Sequence, residues 1–138
     1  MLKNITKKVI FLLTNITGVN RIDIVSYGNN KTEKMCSDYK QAKKILGKIV
    51  AEKLFAAINF IESASNLNDI ACLPNYHLHQ LSGNKKHLFA MDLGRKLGYR
   101  LIIKPAPPFN KEEDNLDFNS KCSLVKSIIV LEVSNHYE

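Results

Sequence analysis

The chain has 138 residues, 45% of them hydrophobic, and its 20 basic side chains exceed its 13 acidic ones to give a net charge of +7 at neutral pH. This length fits one domain with its own core and excludes two ordinary domains, while the hydrophobic fraction excludes an intrinsically disordered chain. The positive charge favours a polyanionic partner such as nucleic acid, although many small proteins carry a similar charge for solubility alone. No apolar run is long enough to cross a bilayer, so we expect no membrane partner.

Residues 1–20 are predicted to be an amphipathic extension that precedes a domain spanning residues 21–138. Apolar residues recur there in alternating steps of three and four, namely Leu2, Ile5, Val9, Leu12 and Ile16. A basic start followed by an apolar run resembles a signal peptide, but the run is short and no small-residue cleavage site follows, so we predict a cytoplasmic protein. The pattern leaves open whether the extension packs on the domain, contacts a partner or contributes little.

The first half of the domain predicts one strand followed by helices. Residues 21–27 alternate as a strand does, and a short helix through Cys36 follows. Residues 39–65 predict a single long helix with one apolar stripe, made of Leu46, Val50, Leu54, Ile58 and Ile61 and widened by Ile45, Ile49 and Ala57. Another face of this helix carries Lys40, Lys44 and Lys48, which are more typical of a solvated surface than of an RNA contact. A short helix over residues 66–73 ends at Pro74.

The second half of the domain predicts a sheet. Strands are expected at residues 76–81, 87–93, 99–104 and 125–133, and the Pro-rich, acidic residues 105–122 between the last two are expected to form a loop. Ile102 makes both faces of the third of these strands apolar, as in a central strand. The predicted fold class is α+β, with a mostly antiparallel twisted sheet of four to five strands and the N-terminal helices packed on one face.

Residues 76–93, YHLHQLSGNKKHLFAMDL, concentrate the groups that could carry chemistry. Residues 76–104 hold six basic side chains and a single acid, Asp92, for a net charge of +5. Three of the four histidines also lie here, at positions 77, 79 and 87. RNA cleavage without a metal needs a base for the ribose 2′-OH, cations for the phosphorane charge and an acid for the leaving oxygen, and histidine and arginine suit these roles. A lone histidine is nevertheless more often structural.

Four sequence blocks carry a resemblance to a known family. LHQLSGNKK, FAMDL, YRLIIKP and VLEVSNHY occur in this order between residues 78 and 137. They are similar to the motifs of the RelE/HigB toxins of type II toxin–antitoxin systems, in particular the HigB-like plasmid-maintenance "killer" proteins. The resemblance covers residues 21–137 and implies a RelE-like fold and a ribosome-dependent mRNA endonuclease that inhibits translation without a cofactor. It also implies a cognate antitoxin of the HigA-like, helix-turn-helix kind.

The resemblance also implies site residues. His79 matches the family's hairpin histidine, a candidate for proton transfer, and Arg100 matches the arginine near the scissile phosphate. Strand spacing predicts a lesser role for His77, which would lie about 6.5 Å from His79. The remaining basic side chains of the segment are expected to bind RNA, namely Lys85, Lys86, Arg95, Lys96 and Lys104.

The C-terminal block departs from the family pattern. The family ends in Asp-Tyr-His where this chain has Asn135-His136-Tyr137. A one-residue shift on a strand reverses the face to which a side chain points, so His136 and Tyr137 are both retained as candidate catalytic residues. The departure leaves a second hypothesis open, a catalytically degraded binding module that retains antitoxin or RNA binding.

A metal site is the least favoured reading of the histidines. His77 and His79 alternate as ligands on a strand could, with His87 nearby, but no carboxylate is spaced to complete the set. The acidic residues 112–117 lack the spacing of a calcium loop. The three cysteines form no C-x-x-C pair and are predicted to be reduced thiols, with Cys72 packed as a small apolar residue.

Overall fold

A computed structural model of the protein describes residues 21–135, so the predicted extension at residues 1–20 and the last three residues lie outside the described part. The helices are α1 Asn30–Ser37, α2 Tyr39–Leu46, α3 Lys48–Ser63, α4 Leu67–Ala71, α5 Lys111–Asp114 and α6 Phe118–Leu124. The strands are β1 Asp23–Tyr27, β2 His79–Gln80, β3 Phe89–Asp92, β4 Tyr99–Pro105 and β5 Ser127–Asn135. Short 3-10 turns lie at Pro74–Tyr76, Gly83–Lys85 and Arg95–Leu97.

The five strands form one mixed sheet in the order β1-β5-β4-β3-β2. Strand β1 runs parallel to β5, and the other three pairings are antiparallel. The predicted α+β class with a mostly antiparallel sheet is therefore confirmed, and β4 is the central strand as expected. Within residues 21–135, no helix has both the length and the apolar character that a bilayer crossing requires.

The hydrophobic core lies between one face of this sheet and the helices. Phe89 and Met91 of β3 and Leu101 and Ile103 of β4 are fully buried on the core face, as their alternation predicted. Because neighbouring strand residues point to opposite faces, the residues between them lie on the other side of the sheet. This second side, called the outer face below, carries His79 of β2, Ala90 and Asp92 of β3, and Arg100, Ile102 and Lys104 of β4.

The prediction of one long helix over residues 39–65 is wrong, because the chain turns at Gly47 to give α2 and α3. Gly47 has φ 87°, a backbone conformation that glycine adopts without the penalty a Cβ brings. The apolar stripe does not continue across this break, and Ile45 and Ile49 on either side of it are 44% and 60% exposed. The rest of the predicted stripe is confirmed, with full or near-full burial of Val50, Leu54, Ala57, Ile58 and Ile61 and partial burial of Leu46.

The acidic segment 105–122 is not a plain loop, contrary to the prediction. It contains α5 and most of α6, each with a side-chain cap at its start. The Asn110 side chain accepts a hydrogen bond from the Glu113 backbone while the Glu113 carboxylate accepts one from the Asn110 backbone, a capping box. Asp117 caps α6 by accepting a hydrogen bond from the backbone N–H of Ser120. These caps offset the low hydrophobicity of the segment.

The cysteines are free thiols, but their burial differs from the prediction. Cys36 and Cys122 are buried, whereas Cys72 is exposed. Burial raises the pKa of the Cys122 thiol to about 12, so it stays protonated and packs as a small apolar group.

Candidate functional site

The candidate hairpin begins with an unusual backbone conformation at His77. The predicted strand over residues 76–81 is reduced to His79 and Gln80, because a 3-10 turn precedes it and His77 has φ 43° and ψ 49°. This left-handed conformation is uncommon outside glycine, and side chains held in it often lie at functional sites. The expectation that His77 lies one full pleat away from His79 is therefore wrong.

The rings of His77 and His79 stack on each other. Their centroids are 4.6 Å apart and their planes differ by 29°. The Nδ1 of His79 lies 2.8 Å from the backbone carbonyl oxygen of His77. A carbonyl can only accept, so Nδ1 of His79 carries the proton, and in the neutral ring the lone pair is then on Nε2. His79 is thus oriented as a proton acceptor at Nε2.

The ring of His77 contacts a carboxylate. Nδ1 of His77 lies 3.4 Å from Oδ2 of Asp92, and the two side chains are 51% and 16% exposed. When His77 is protonated, the two form an ion pair. The sequence-based site did not include Asp92, although one signal pointed to it: it is the only acid among residues 76–104. The two stacked histidines therefore have different partners, a carbonyl for His79 and a carboxylate for His77.

Arg100 lies beside this group on the outer face of the sheet. The register pairs Arg100 with Asp92 of β3 on one side and with Ser134 of β5 on the other. Its Nε is buried and has no hydrogen-bond partner among the described residues. A buried guanidinium N–H without a partner is costly, and a bound anion is one group that would satisfy it. Strand β5 ends at Asn135, opposite Tyr99, and the candidates His136 and Tyr137 lie outside the described residues.

The predicted RNA-binding side chains do not form one cluster. Lys85 and Lys86 are exposed at the turn before β3, the basic tip, and Lys104 lies on the part of β4 beside that end of β3. Lys96 is exposed at the opposite end of β3, in the 3-10 turn that also includes the backbone of Arg95. The two basic groups are separated by the length of β3, about 10 Å for four residues. His79, paired with Ala90 of β3, lies between them.

A buried lysine that the sequence did not single out anchors the basic tip. Lys121 of α6 is 6% exposed. Its Nζ donates to Oε1 of Gln80 and to Oδ1 of Asp114, both at 3.0 Å, and lies 5.3 Å from the centre of the Phe109 ring. The Gln80 amide in turn donates to the backbone carbonyl of Lys86. The core face of β2 is therefore connected both to the acidic segment and to the basic tip.

The acidic segment and the basic tip also interact electrostatically. The pKa of Asp114 is lowered from its ordinary value, first by the hydrogen bond from Lys121, then by the charge of Lys121, with a smaller contribution from the charge of Lys86. Asp114 is solvent-exposed enough for water to screen these interactions. Its carboxylate nevertheless lies on the side of the hairpin where Lys86 attracts it.

A cleft of about 390 Å³ opens beside the stacked histidines. Residues of α3, of the turn before His77 and of the end of β3 form its walls. They are Lys53, Ala56, Asn75, Tyr76, Asp92, Leu93 and Gly94. Asp92 thus contacts His77 and also lines the cleft.

The arrangement can transfer protons and hold an anion, and its fit to a metal is poor. Among residues 21–135, no group of three His, Cys, Asp or Glu side chains is arranged to hold a metal ion. His87, which the metal hypothesis required, is exposed in the segment before β3. Two imidazoles with defined partners and an arginine are the parts that a metal-independent phosphodiester cleavage needs.

The chain matches no protein-family model, no curated protein and no solved structure. The resemblance to RelE/HigB toxins therefore rests on the four sequence blocks alone.

Proposed function

We propose that the protein is the toxin of a type II toxin–antitoxin system, a RelE-like endoribonuclease that cleaves mRNA on the ribosome in the cytoplasm and thereby inhibits translation. The observation that carries the proposal is the stacked pair His77 and His79, whose Nδ1 atoms contact the Asp92 carboxylate and a backbone carbonyl respectively, with His79 on the sheet face that also presents Arg100. The basic side chains around the pair and the four family-like sequence blocks support it further.

The geometry suits attack of the ribose 2′-OH on the adjacent phosphate. Nε2 of His79 accepts the 2′-OH proton, and the protonated ring of His77, paired with Asp92, donates a proton to the departing 5′-oxygen. The products are a 2′,3′-cyclic phosphate and a free 5′-hydroxyl, and exchange with water restores both rings. Arg100 stabilises the extra negative charge of the phosphorane. The rings are 4.6 Å apart, close enough to serve the two sides of one phosphate.

The two basic groups at the ends of β3 hold the RNA strand across the site. Lys85 and Lys86 at one end and Lys96 at the other neutralise phosphates on either side of the cleaved bond. This assignment follows the register of β3, which puts His79 between the two ends. The antitoxin, of the HigA-like helix-turn-helix kind, neutralises the protein by binding it.

Controlled expression in bacteria tests this proposal. We expect induction of the wild-type chain to arrest growth and to leave cleaved mRNA fragments that end in 2′,3′-cyclic phosphates. Co-expression of a helix-turn-helix protein encoded beside the gene should restore growth. Normal growth with intact mRNA on induction of a folded protein would contradict the proposal.

A second candidate function is a binding module that has lost catalysis but retains antitoxin or RNA binding. The observation in its favour is Asn135, where an amide at the end of β5 replaces the carboxylate of the family motif. This candidate predicts RNA or antitoxin binding without fragments, whereas the nuclease predicts both.

A further inference from the structure

The chain enters the domain at one end of the sheet. The backbone N–H of Asp23 donates a 3.0 Å hydrogen bond to the carbonyl of Lys126, and the register pairs Asp23 with Ser127. The carbonyl of Ser127 accepts a 2.9 Å hydrogen bond from the backbone N–H of Ala106, just after the end of β4. The start of β1 and the end of β4 therefore flank the start of β5, and residues 1–20 join the domain beside them.

A groove of about 140 Å³ lies at the same end of the sheet. This volume is below the roughly 300–1,000 Å³ that is usual for small-ligand sites, so the groove suits an apolar side chain of a polypeptide better than a free ligand. Its wall includes Leu124, which is 48% exposed at the end of α6, and Pro107, which is also exposed. Other residues that line it are Pro105, Phe109, Lys126 and Ser127.

The acidic segment gives one side of the groove a charge opposite to that of the protein as a whole. Residues 105–122 carry four acids and two lysines, and one of the acids, Glu113, lines the groove. Residues 1–20 contain three lysines and no acid. Because their net charges have opposite signs, the two segments attract each other.

Residues 1–20 also supply apolar side chains within reach of the groove. Their apolar positions run from Leu2 to Ile16 in steps of three and four. Neighbouring strands are about 4.8 Å apart, so the start of β1 lies about 10 Å from the end of β4 across β5. An extended chain covers about 3.3–3.6 Å per residue, so residues 17–20 are long enough to span that distance.

A second exposed apolar surface, at the turn between α2 and α3, fits residues 1–20 less well. It carries Ile45 and Ile49, which follow Lys44 and Lys48 in the sequence, and these lysines repel a segment that is itself basic. Helix α3 has 16 residues and is about 24 Å long. The chain enters beside its opposite end, where the N–H of Ile22 donates a 2.8 Å hydrogen bond to the carbonyl that follows α3. Charge and distance both favour the groove.

We propose that residues 1–20 dock on the groove of their own chain, with apolar side chains against Leu124 and Pro107 and with their lysines toward the acidic segment. Docking removes the exposed apolar side chains from water, and this burial offsets the cost of ordering the segment. The inference does not depend on the proposed endoribonuclease function, because no residue that lines the groove belongs to the candidate site.

Tryptic cleavage of the full chain after Lys7 and Lys8, identified by mass spectrometry, tests the inference. At low protease concentration the cleavage rate follows the undocked fraction. Leu124→Ser removes an apolar wall at an exposed position and should raise the rate about tenfold, the scale expected for one buried leucine. Ile49→Ser makes the same kind of change at the α3 surface, and this control should change the rate less than about twofold. Pro107→Ser, at a second exposed position of the groove, should act in the same direction as Leu124→Ser.

Two exposed neighbours in α5 test the contribution of charge. Glu112→Gln removes a negative charge from the acidic segment and should raise the cleavage rate after Lys7 and Lys8. Lys111→Gln removes a positive charge and should lower it. Each change should be about twofold, because water screens charges at exposed positions.

The outcomes decide between the groove and other surfaces. Faster cleavage of both groove variants, at a rate independent of protein concentration, supports docking within one chain. A rate that falls as the protein concentration rises would assign the groove to a second copy and overturn the inference. Equal rates for the wild type and both groove variants, a larger increase from Ile49→Ser, or shifts in the same direction from Glu112→Gln and Lys111→Gln would also overturn it.

Discussion

The buried ammonium of Lys121 donates a 3.0 Å hydrogen bond to the side-chain carbonyl of Gln80, 41 positions earlier in the chain. This bond joins α6 to β2, the edge strand that carries His79. Because the amide of Gln80 also donates to the carbonyl of Lys86, the lysine fixes the basic tip as well as the strand. The acidic segment is therefore a support for the candidate site.

Replacing Lys121 with Met tests this support. Methionine keeps the packing against Phe109 but leaves the acceptors on Gln80 and Asp114 without a donor. We expect the free energy of unfolding to fall by about 1–3 kcal/mol, as for a lost buried hydrogen bond to a charged group. Urea denaturation measures the change. Lys111→Met, at an exposed position of α5, is the matched control and should cost less than about 0.5 kcal/mol. Equal effects at the two positions would show that Lys121 is not an anchor.

The same interaction predicts a pH dependence. Lys121 lowers the pKa of Asp114 below its ordinary 3.8. The folded state therefore releases this proton more readily than the unfolded state, and the stabilisation is present above pH 3.8 and is lost as pH falls through the lowered pKa. The stability difference between the wild type and Asp114→Asn should be constant near neutrality and should shrink below about pH 4. Urea denaturation between pH 7 and pH 2.5 checks this, and a difference that grows on acidification would contradict it.

The turn at Gly47 predicts unequal effects of truncation on α3. Leu54 is fully buried, so Leu54→Ala should lower the free energy of unfolding by about 2–5 kcal/mol. Ile49 is 60% exposed, so Ile49→Ala should change it by less than about 0.5 kcal/mol. Thermal or urea denaturation measures both. If Ile49→Ala were the more damaging change, a continuous helix through residue 47 would fit better than two helices.

The regular parts of the fold could be predicted because burial imposes a period on the sequence. The stripe through Leu54, Ile58 and Ile61 and the alternation of Phe89 and Met91 both lie on the core, as expected. The turn at Gly47 could not be predicted with the same ease, because a single glycine is tolerated inside many helices. The helices of the acidic segment did leave a signal: Asn110 and Glu113 have the spacing of a capping box.

The candidate site was predictable in its residue types and less so in its geometry. The concentration of histidines and cations identified the hairpin, and Arg100 does lie on the same sheet face as His79. The left-handed backbone at His77 and its contact with Asp92 depend on tertiary structure that no local pattern encodes. The basic side chains are divided between the two ends of β3 because Lys85 and Lys86 precede this strand and Lys96 follows it.

The basic tip should determine the salt dependence of RNA binding. Lys85 and Lys86 are exposed and can each neutralise a phosphate. Changing both to Gln should flatten the plot of log affinity against log salt concentration by about one to two units. Binding of a non-cleaving variant to RNA or ribosomes over a salt series measures the slope. The control is the Lys40→Gln, Lys44→Gln double variant of α2, which removes the same charge from a different surface. A flatter slope in the control alone would show that the RNA binds to the α2 surface and not to the basic tip.

The stacked histidines should divide the catalytic work. His77→Ala removes the proposed acid and should reduce the cleavage rate about 10²-fold or more, the usual scale for such a group. His87→Ala, at an exposed position before β3, should change the rate less than about twofold if only the stacked pair transfers protons. Single-turnover cleavage of ribosome-bound mRNA measures both. A larger loss of cleavage rate from His87→Ala than from His77→Ala would show that the proton donor lies on the other side of the turn.

Cleavage of ribosome-bound mRNA by the wild type, His79→Ala and Arg100→Ala shows whether this hairpin is the active site. We expect fragments with 2′,3′-cyclic phosphate ends for the wild type and none for either variant. We also expect both variants to remain folded and to bind the antitoxin, since His79 and Arg100 lie on the outer face of the sheet. Undiminished cleavage by both variants would contradict the assignment of this hairpin as the active site.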